Sequence, residues 1–266
     1  MRGHSRAEPS KITSAPRLRS QWTKTADGPI HSLVSESPSP FAPVVVLVHG
    51  LVISSRYMIP TAEQLAPFFR LYAIDLPGYG KSYKPAMFLR LSQLADALAD
   101  WMSAVPITKA HFIANSFGCQ ILAQFALRYP QRIDRFVFQG PTVDPAARSL
   151  ARQLFRLMVN SRREQPSLGR ITLADYRAAG VRRAWATVRM ALADSIEKKL
   201  PYIEAPTLVV RGEKDPVVPQ SWAEQAARLL PRGELCVVSD AAHTLNYSAP
   251  KKFVAAILPF LQSADP

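Results

Sequence analysis

The sequence predicts an α/β fold in which a mostly parallel central sheet is flanked by helices. Short apolar runs, several of them rich in β-branched residues, alternate along the chain with amphipathic helical patterns. Five of the 11 glycines follow the ends of these runs, where the backbone must turn sharply. The 266 residues, 48% of them hydrophobic and 20% charged, suffice for a substantial core and exclude a disordered or fibrous chain.

Residues 1–18 are basic and polar and predict a flexible tail. They hold no apolar stretch of the kind that a secretory signal needs, so we expect a cytoplasmic protein. Residues 20–25 and 30–35 flank an Asp-Gly turn at Asp27 and Gly28. This pattern predicts a leading antiparallel hairpin.

Six apolar runs predict the parallel strands, at residues 44–48, 71–74, 110–113, 136–138, 207–210 and 235–238. Apolar residues at helical spacing predict helices at residues 91–102, 117–129, 221–230 and 251–261. In a β-α series of this kind, function is expected at the carboxyl ends of the strands.

Residues 141–205 interrupt the alternation, because they contain several helical patterns and no convincing strand. We therefore expect a helical cap, inserted into an α/β core that is formed by residues 19–140 and 206–266. The longest apolar run is far shorter than the roughly 20 residues of a membrane helix, so no transmembrane segment is predicted.

The net charge of +13 raises an acidic partner as a possibility, and twelve of the 33 basic residues fall in the expected cap. Arg148, Arg152 and Arg156 recur every four residues, roughly opposite an apolar face that includes Leu154 and Met158, which favours a solvated arginine stripe. A role in binding an anionic lipid surface or an acyl-CoA is the weaker alternative. Nucleic acid is not a predicted partner, because no stacking-aromatic pattern or nucleic-acid motif is present.

The sharpest local signal is the sequence His-Phe-Ile-Ala-Asn-Ser-Phe-Gly at residues 111–118. A strand here runs into a small-x-Ser-x-Gly turn and then into a helix, and such a turn needs small residues such as Ala114 and Gly118 on either side of its nucleophile. Ser116 would then be presented at a helix N-terminus, with the Phe117 amide placed to stabilise an oxyanion. The simpler alternative is that Ser116 only caps the helix.

A serine nucleophile needs a base, and the base needs an orienting acid. Asp215 lies just beyond the fifth run and His243 just beyond the sixth, so Ser, Asp and His occur in this order at strand ends. Asp144, after the fourth run, is a reserve candidate for the acid. Asp240 is interpreted as a solvated loop residue.

Five motifs together resemble the α/β-hydrolase superfamily: Val-His-Gly-Leu at 48–51, Asp-Leu-Pro-Gly-Tyr-Gly-Lys-Ser at 75–82, Ala-Asn-Ser-Phe-Gly at 114–118, Gly-Glu-Lys-Asp at 212–215 and Ala-His at 242–243. The resemblance implies Ser116 as nucleophile, His243 as base and Asp215 as acid. It also implies that the backbone amides of Leu51 and Phe117 form the oxyanion hole, whereas His49 braces the loop. Ala114 and Ala242 replace glycines that are usual in this family, and both are small.

These residues predict a serine hydrolase that cleaves a carboxylic ester, lactone or thioester of a small to medium hydrophobic substrate. One alternative is a carbon–carbon bond hydrolase of ring-fission products. Enzymes of that group typically carry His-Gly-Gly-Gly at the oxyanion loop and Trp after the catalytic histidine. This chain has Leu51-Val52 and Thr244 at those places, which disfavours the alternative. Another is a receptor-like relative with slow turnover. No metal-ligand cluster or dinucleotide motif is present, so no cofactor is implied, and Cys119 and Cys236 are expected to be buried thiols.

Overall fold

An eight-stranded sheet with the order β1-β2-β4-β3-β5-β6-β7-β8 organises the chain. The computed structural model describes residues 18–36, 39 and 41–263, so the predicted tail lies, apart from Leu18, outside the described residues. The strands are β1 (Arg19–Lys24), β2 (Pro29–Val34), β3 (Val44–Val48), β4 (Arg70–Ile74), β5 (Ala110–Asn115), β6 (Ile133–Gln139), β7 (Thr207–Gly212) and β8 (Gly233–Val238). Strands β1 and β2 form an antiparallel hairpin, and β2 also pairs with β4 in antiparallel orientation. All remaining strand pairs are parallel. The predicted fold class is confirmed.

The central strands are apolar on both sides because both faces of the sheet are covered by helices. In β3, Val46 and Val48 pack into one core, whereas Val45 and Leu47 pack into the core on the opposite face. This alternation follows from the period of two in a strand. It explains why the run is uniformly hydrophobic rather than alternating with polar residues.

Nine α-helices occur in the part of the chain that the structure describes. They are α1 (Ile59–Leu65), α2 (Leu91–Ala104), α3 (Phe117–Arg128), α4 (Leu150–Ser161), α5 (Pro166–Ala179), α6 (Val181–Ala193), α7 (Gln220–Leu229), α8 (Leu245–Ser248) and α9 (Pro250–Gln262). Helices α2, α3 and α7 pack on one face of the sheet, and α1, α8 and α9 pack on the other. None of the described helices is both long and apolar enough to cross a membrane.

Helices α4, α5 and α6 follow β6 and precede β7, within the segment expected to form a cap. They are tied to the core by polar contacts: Asp175 of α5 accepts hydrogen bonds from the backbone and side chain of Ser54, and Thr187 of α6 bonds to the hydroxyl of Tyr79 at 2.8 Å. The division of the chain into core and cap stays a prediction.

The prediction of a solvated arginine stripe is wrong for two of its three members, Arg156 on α4 and Arg148 just before it. Arg148 pairs with Glu197, and Arg156 pairs with Asp144 at 2.8 Å, and both guanidinium groups are largely covered. Leu154 and Met158, which the pattern placed on the opposite, apolar face, are about half exposed. The reason is that Asp144 and Glu197, which lie before α4 and after α6 in the segment expected to form a cap, pair with the arginines, and part of the apolar side of α4 is turned outward.

The two thiols differ from each other. Cys119 in α3 is fully buried, as expected, whereas Cys236 in β8 is only half-buried, because β8 is the edge strand of the sheet.

Candidate active site

Ser116 lies on the tight turn between β5 and α3. Its φ of 57° and ψ of −119° are strained for a residue with a side chain. Gly118 is needed beside it, because a Cβ atom there would lie 2.7 Å from the carbonyl oxygen of His49 and 2.8 Å from that of Val48. Ser116 makes no side-chain capping bond to α3, so the structure does not favour the simpler alternative of a helix cap.

His243 follows β8 and Asp215 follows β7, and their side chains meet. Nδ1 of His243 donates to Oδ2 of Asp215 at 2.7 Å, and both side chains are buried. The other carboxylate oxygen, Oδ1, accepts from the backbone amides of Val217 at 2.7 Å and Val218 at 3.0 Å. Since both oxygens of Asp215 are occupied by donors, its carboxylate is fixed in orientation.

The imidazole of His243 keeps one nitrogen available. Nε2 is buried and has no hydrogen-bond partner among the described residues. Burial lowers the pKa of His243, but the negative charge of Asp215, the hydrogen bond to it and the charge of Glu164 outweigh burial, so the pKa is raised. A buried imidazole with a raised pKa and a free nitrogen is suited to accept a proton.

Gly140, directly after β6, makes room for this pair. Its φ is +56°, and a Cβ atom there would lie 2.7 Å from Cε1 and 2.9 Å from Nδ1 of His243. Only glycine satisfies both the left-handed backbone and the close approach of the imidazole. Gly140 is one of the five glycines that follow the apolar runs, and its contact with His243 was not predicted from the sequence.

Ser116 and His243 line one cavity of about 520 Å³. The lining is mainly apolar, and it includes Leu51 from the loop after β3 together with side chains from α4 and α5. Glu164 is the acidic member, and no Lys or Arg is among the described residues that line it. Ser116 Oγ hydrogen bonds to Oγ1 of Thr142 at 3.4 Å rather than to the imidazole.

The loop that carries Leu51 is held by buried polar groups. The Gly50 amide donates to the Tyr57 hydroxyl at 2.7 Å, and this hydroxyl donates to Oδ1 of Asn115 at 3.0 Å. The Gly50 amide is therefore occupied, and the Leu51 amide is the next along the loop at the cavity. Phe117 is the first residue of α3, where an amide has no partner within the helix.

His49 connects two loops beneath the site. Its Nε2 accepts from the Leu76 amide at 3.1 Å, and its Nδ1 bonds to the Gly50 carbonyl oxygen at 3.0 Å. Burial lowers the pKa of His49 despite opposing contributions from that carbonyl and from Asp75, which favours the neutral imidazole. These contacts fit the predicted loop-bracing role.

Four side chains that sequence analysis did not assign hold the backbone of the His243 loop. Gln139 donates to the His243 carbonyl oxygen at 3.0 Å, and Asn160 of α4 accepts from the His243 amide at 3.1 Å. Glu164 accepts from the next amide, that of Thr244, at 2.8 Å, and Asn115 reaches the His243 carbonyl oxygen at 3.4 Å. The sequence signal that could have identified two of them is a polar residue at the end of an apolar strand, namely Asn115 in β5 and Gln139 in β6.

The reserve candidate Asp144 and the loop residue Asp240 lie elsewhere. Asp144 pairs with Arg156 and accepts from the Ala146 amide at 2.9 Å, so the structure brings Asp215 to His243 and leaves the reserve candidate in an ion pair. Asp240 is two-thirds exposed and pairs with Lys214. No cluster of three or more His, Cys, Asp or Glu side chains suited to a metal ion occurs within residues 18–36, 39 and 41–263.

A sheet of this order, with a strained serine turn and a buried His-Asp pair at its carboxyl edge, defines the class of α/β hydrolases. A family model described as alpha/beta hydrolase fold matches residues 43–169 and 144–250. The chain belongs to this family of hydrolases.

Three comparisons illustrate the relationship. RutD of Yersinia enterocolitica, a protein named for carbamate hydrolysis, is 29% identical over 84% of this chain and 88% of its own length. Carboxylesterase YbfK of Bacillus subtilis is 26% identical over 90% of this chain and 86% of its own. The structure of a thermophilic esterase from Thermogutta terrifontis superposes with a TM-score of 0.74 at 23% identity, covering 92% of this chain and 98% of that one.

Proposed function

We propose that the protein hydrolyses carboxylic esters, lactones or thioesters of small to medium hydrophobic substrates through an acyl-enzyme. Ser116 is the nucleophile, His243 the general base and Asp215 the acid that orients it. The observation that carries this proposal is the shared apolar cavity, which both Ser116 and His243 line while Asp215 holds the imidazole from behind. The esterase among the related proteins agrees with it.

In the first half of the reaction, Ser116 Oγ attacks the carbonyl carbon while Nε2 of His243 takes its proton. Because Nδ1 donates to Asp215, the proton can be accepted only at Nε2, and the carboxylate stabilises the imidazolium that forms. The tetrahedral intermediate collapses when the carbon–oxygen bond to the alcohol breaks and His243 returns the proton to the leaving oxygen.

The negative charge of the intermediate is held by the backbone amides of Leu51 and Phe117. The Tyr57 hydroxyl supports this arrangement, because it fixes the Gly50 amide and with it the course of the loop. In the second half, His243 removes a proton from water, the hydroxide attacks the acyl carbon, and Ser116 leaves with the proton from His243. The products are the free acid and the regenerated enzyme.

A carbamate is the second candidate substrate. The relation to RutD favours it, and the chemistry is the same attack on a neutral carbonyl carbon. The residues that line the cavity do not separate the two, because both substrates present a carbonyl oxygen to the same amides.

Anionic ring-fission dienoates fit this cavity less well. A carboxylate substrate needs a basic partner, whereas Glu164 puts a negative charge in the wall and the described lining contains no Lys or Arg. The cavity therefore favours the ester reaction over carbon–carbon cleavage. A receptor-like role is less favoured as well, since the His-Asp pair retains a free nitrogen for proton transfer.

The test is steady-state hydrolysis of p-nitrophenyl esters of graded acyl length, an aryl carbamate and a ring-fission dienoate, with wild type and Ser116→Ala. We expect turnover of the neutral substrates, and a fall of about 10³-fold or more in the variant. Retention of activity in Ser116→Ala, or turnover of the dienoate alone, would contradict the proposal. Single turnover followed by tight product retention would favour the receptor-like role.

A further inference from the structure

An apolar patch lies exposed on α4 and α5. We use the name apolar patch for five residues, namely Leu154, Phe155, Leu157, Met158 and Leu173, all of which are exposed. The four on α4 lie on one side of the helix, because they are spaced by one, three and four positions. Exposed apolar clusters of this kind in a monomer commonly mark an interaction surface.

The charges around the patch are of one sign. Between residues 150 and 190, every exposed charged side chain is an arginine: Arg152, Arg162, Arg163, Arg170, Arg177, Arg182 and Arg189. The two acidic residues of this stretch face inward, since Asp175 is buried against Ser54 and Glu164 bonds to the His243 loop. The outer surface of these helices is thus apolar and positive.

The arginines interleave with the patch rather than forming a separate face. Arg152 and Phe155 line the same shallow cavity. Arg162 follows Met158 by four positions, and Arg170 and Arg177 flank Leu173 by three and four positions, which places each within one helical turn of its apolar neighbour. Each apolar side chain can therefore enter an apolar layer while a neighbouring guanidinium stays at a polar boundary.

We propose that the apolar patch and its arginines dock on the surface of an anionic lipid bilayer. The five apolar side chains insert at the boundary between headgroups and acyl chains, and the guanidinium groups bind lipid phosphates in the planar, bidentate manner that suits arginine. The exposed indole of Trp185 on α6, the next helix, has the amphipathic character of a residue at such a boundary.

Other occupants fit this surface less well. A nucleic acid would pair with the arginines but would leave Leu154, Phe155 and Met158 without an apolar partner. A second copy of the chain, joined across a two-fold axis, would set arginines against arginines, because this stretch offers no exposed acid among its described residues. An anionic bilayer supplies both the apolar layer and the negative charge.

Docking would place the cavity at the lipid surface. Leu157 and Leu173 belong to the patch and also line the cavity of Ser116 and His243. A substrate dissolved in the bilayer could enter without crossing water. This consequence rests on the proposed function, whereas docking itself does not.

The test is co-sedimentation of the full chain with vesicles of phosphatidylcholine alone or with about one-third phosphatidylglycerol, at low and high salt. One variant carries Leu154→Ser, Phe155→Ser and Met158→Ser, and a second carries Arg162→Gln, Arg170→Gln and Arg177→Gln. Matched controls remove equal numbers of exposed groups elsewhere, with Phe41→Ser, Phe68→Ser and Leu127→Ser for the apolar set. For the basic set they are Arg19→Gln, Lys24→Gln and Lys251→Gln.

We expect binding to the anionic vesicles that weakens with salt, and a loss of roughly tenfold or more in affinity in each test variant. The controls and Ser116→Ala should bind as wild type does, which separates docking from catalysis. Equal binding by test and control variants, or no preference for anionic vesicles, would overturn the proposal. Two further results would overturn the proposal if vesicle binding is absent. One is self-association that the apolar variant abolishes. The other is DNA binding that the arginine variant abolishes and the apolar variant leaves unchanged.

Discussion

A Cβ atom on Gly140 would lie 2.7 Å from Cε1 of His243, so the residue after one strand limits where the imidazole after another can sit. The pair shows how the active site is assembled from adjacent strand ends. The position of His243 is also fixed by Asp215 at its ring and by Gln139 and Asn160 at its backbone. Changes at these contacts therefore test the account one at a time.

Gly140→Ala should displace the imidazole and lower kcat at least tenfold, because the new methyl group overlaps the ring. Gly180→Ala is the matched control: its φ is +79°, but a Cβ atom there meets nothing within 4 Å. The control should cost about 1–3 kcal/mol of stability from backbone strain and keep its kcat. Kinetics and thermal melting distinguish the two, and equal kcat for both variants would mean that Gly140 does not limit the imidazole.

Asp215→Asn should lower kcat by about 10⁴-fold, because an amide does not stabilise the imidazolium and changes the tautomer. Asp144→Asn should keep kcat, since Asp144 pairs with Arg156. Each substitution removes a buried carboxylate and so lowers stability. The kcat of both variants is therefore measured below the melting temperature of the less stable one. A larger loss in Asp144→Asn would transfer the role of the acid to Asp144.

The acid limb of the kcat/KM profile should lie above the ordinary histidine value of 6.5. Activity requires neutral His243, and the pKa is raised, so activity is lost as pH falls through this higher value. Glu164→Gln removes one cause of the rise and should move the limb to lower pH. Asp240→Asn, at an exposed acid, should leave it in place, and a limb that Glu164→Gln does not move would contradict this assignment.

Tyr57→Phe should destabilise the protein by about 1–3 kcal/mol, because it leaves the Gly50 amide and Asn115 Oδ1 without their partner. It should also lower kcat several-fold by loosening the Leu51 loop. Tyr79→Phe removes another buried hydroxyl, bonded to Thr187, and should reduce stability while keeping kcat. Chemical denaturation and kinetics measure the two effects, and an unchanged kcat in Tyr57→Phe would separate the hydroxyl from catalysis.

Sequence patterns sufficed for the sheet, because a strand buried on both faces must be apolar throughout, as β3 is. Gly118 was predictable, since its neighbours in sequence already demand a small residue. The roles of Gly140, Glu164 and Asn160 were not predictable. These residues are separated in sequence from the His243 loop by 80 to more than 100 positions, so their contacts with it depend on how loops and helices pack. The short helices α1 and α8 lack the length needed for a helical period.

The orientation of α4 was the main error. The pattern correctly indicated an amphipathic helix, but it carried no information on the acids that Arg148 and Arg156 would meet. Their ion pairs with Glu197 and Asp144 turn part of the apolar side outward. A periodic pattern defines the two sides of a helix, whereas the partners in the fold decide which side is covered.

The central claim is that His243 activates Ser116. Its most direct test is intact-mass analysis after treatment with a fluorophosphonate, with wild type, Ser116→Ala and Ser161→Ala, the last removing another serine that lines the same cavity. We expect a single adduct on wild type and on Ser161→Ala, and none on Ser116→Ala. An unlabelled wild type, or an adduct that persists in Ser116→Ala, would contradict the claim.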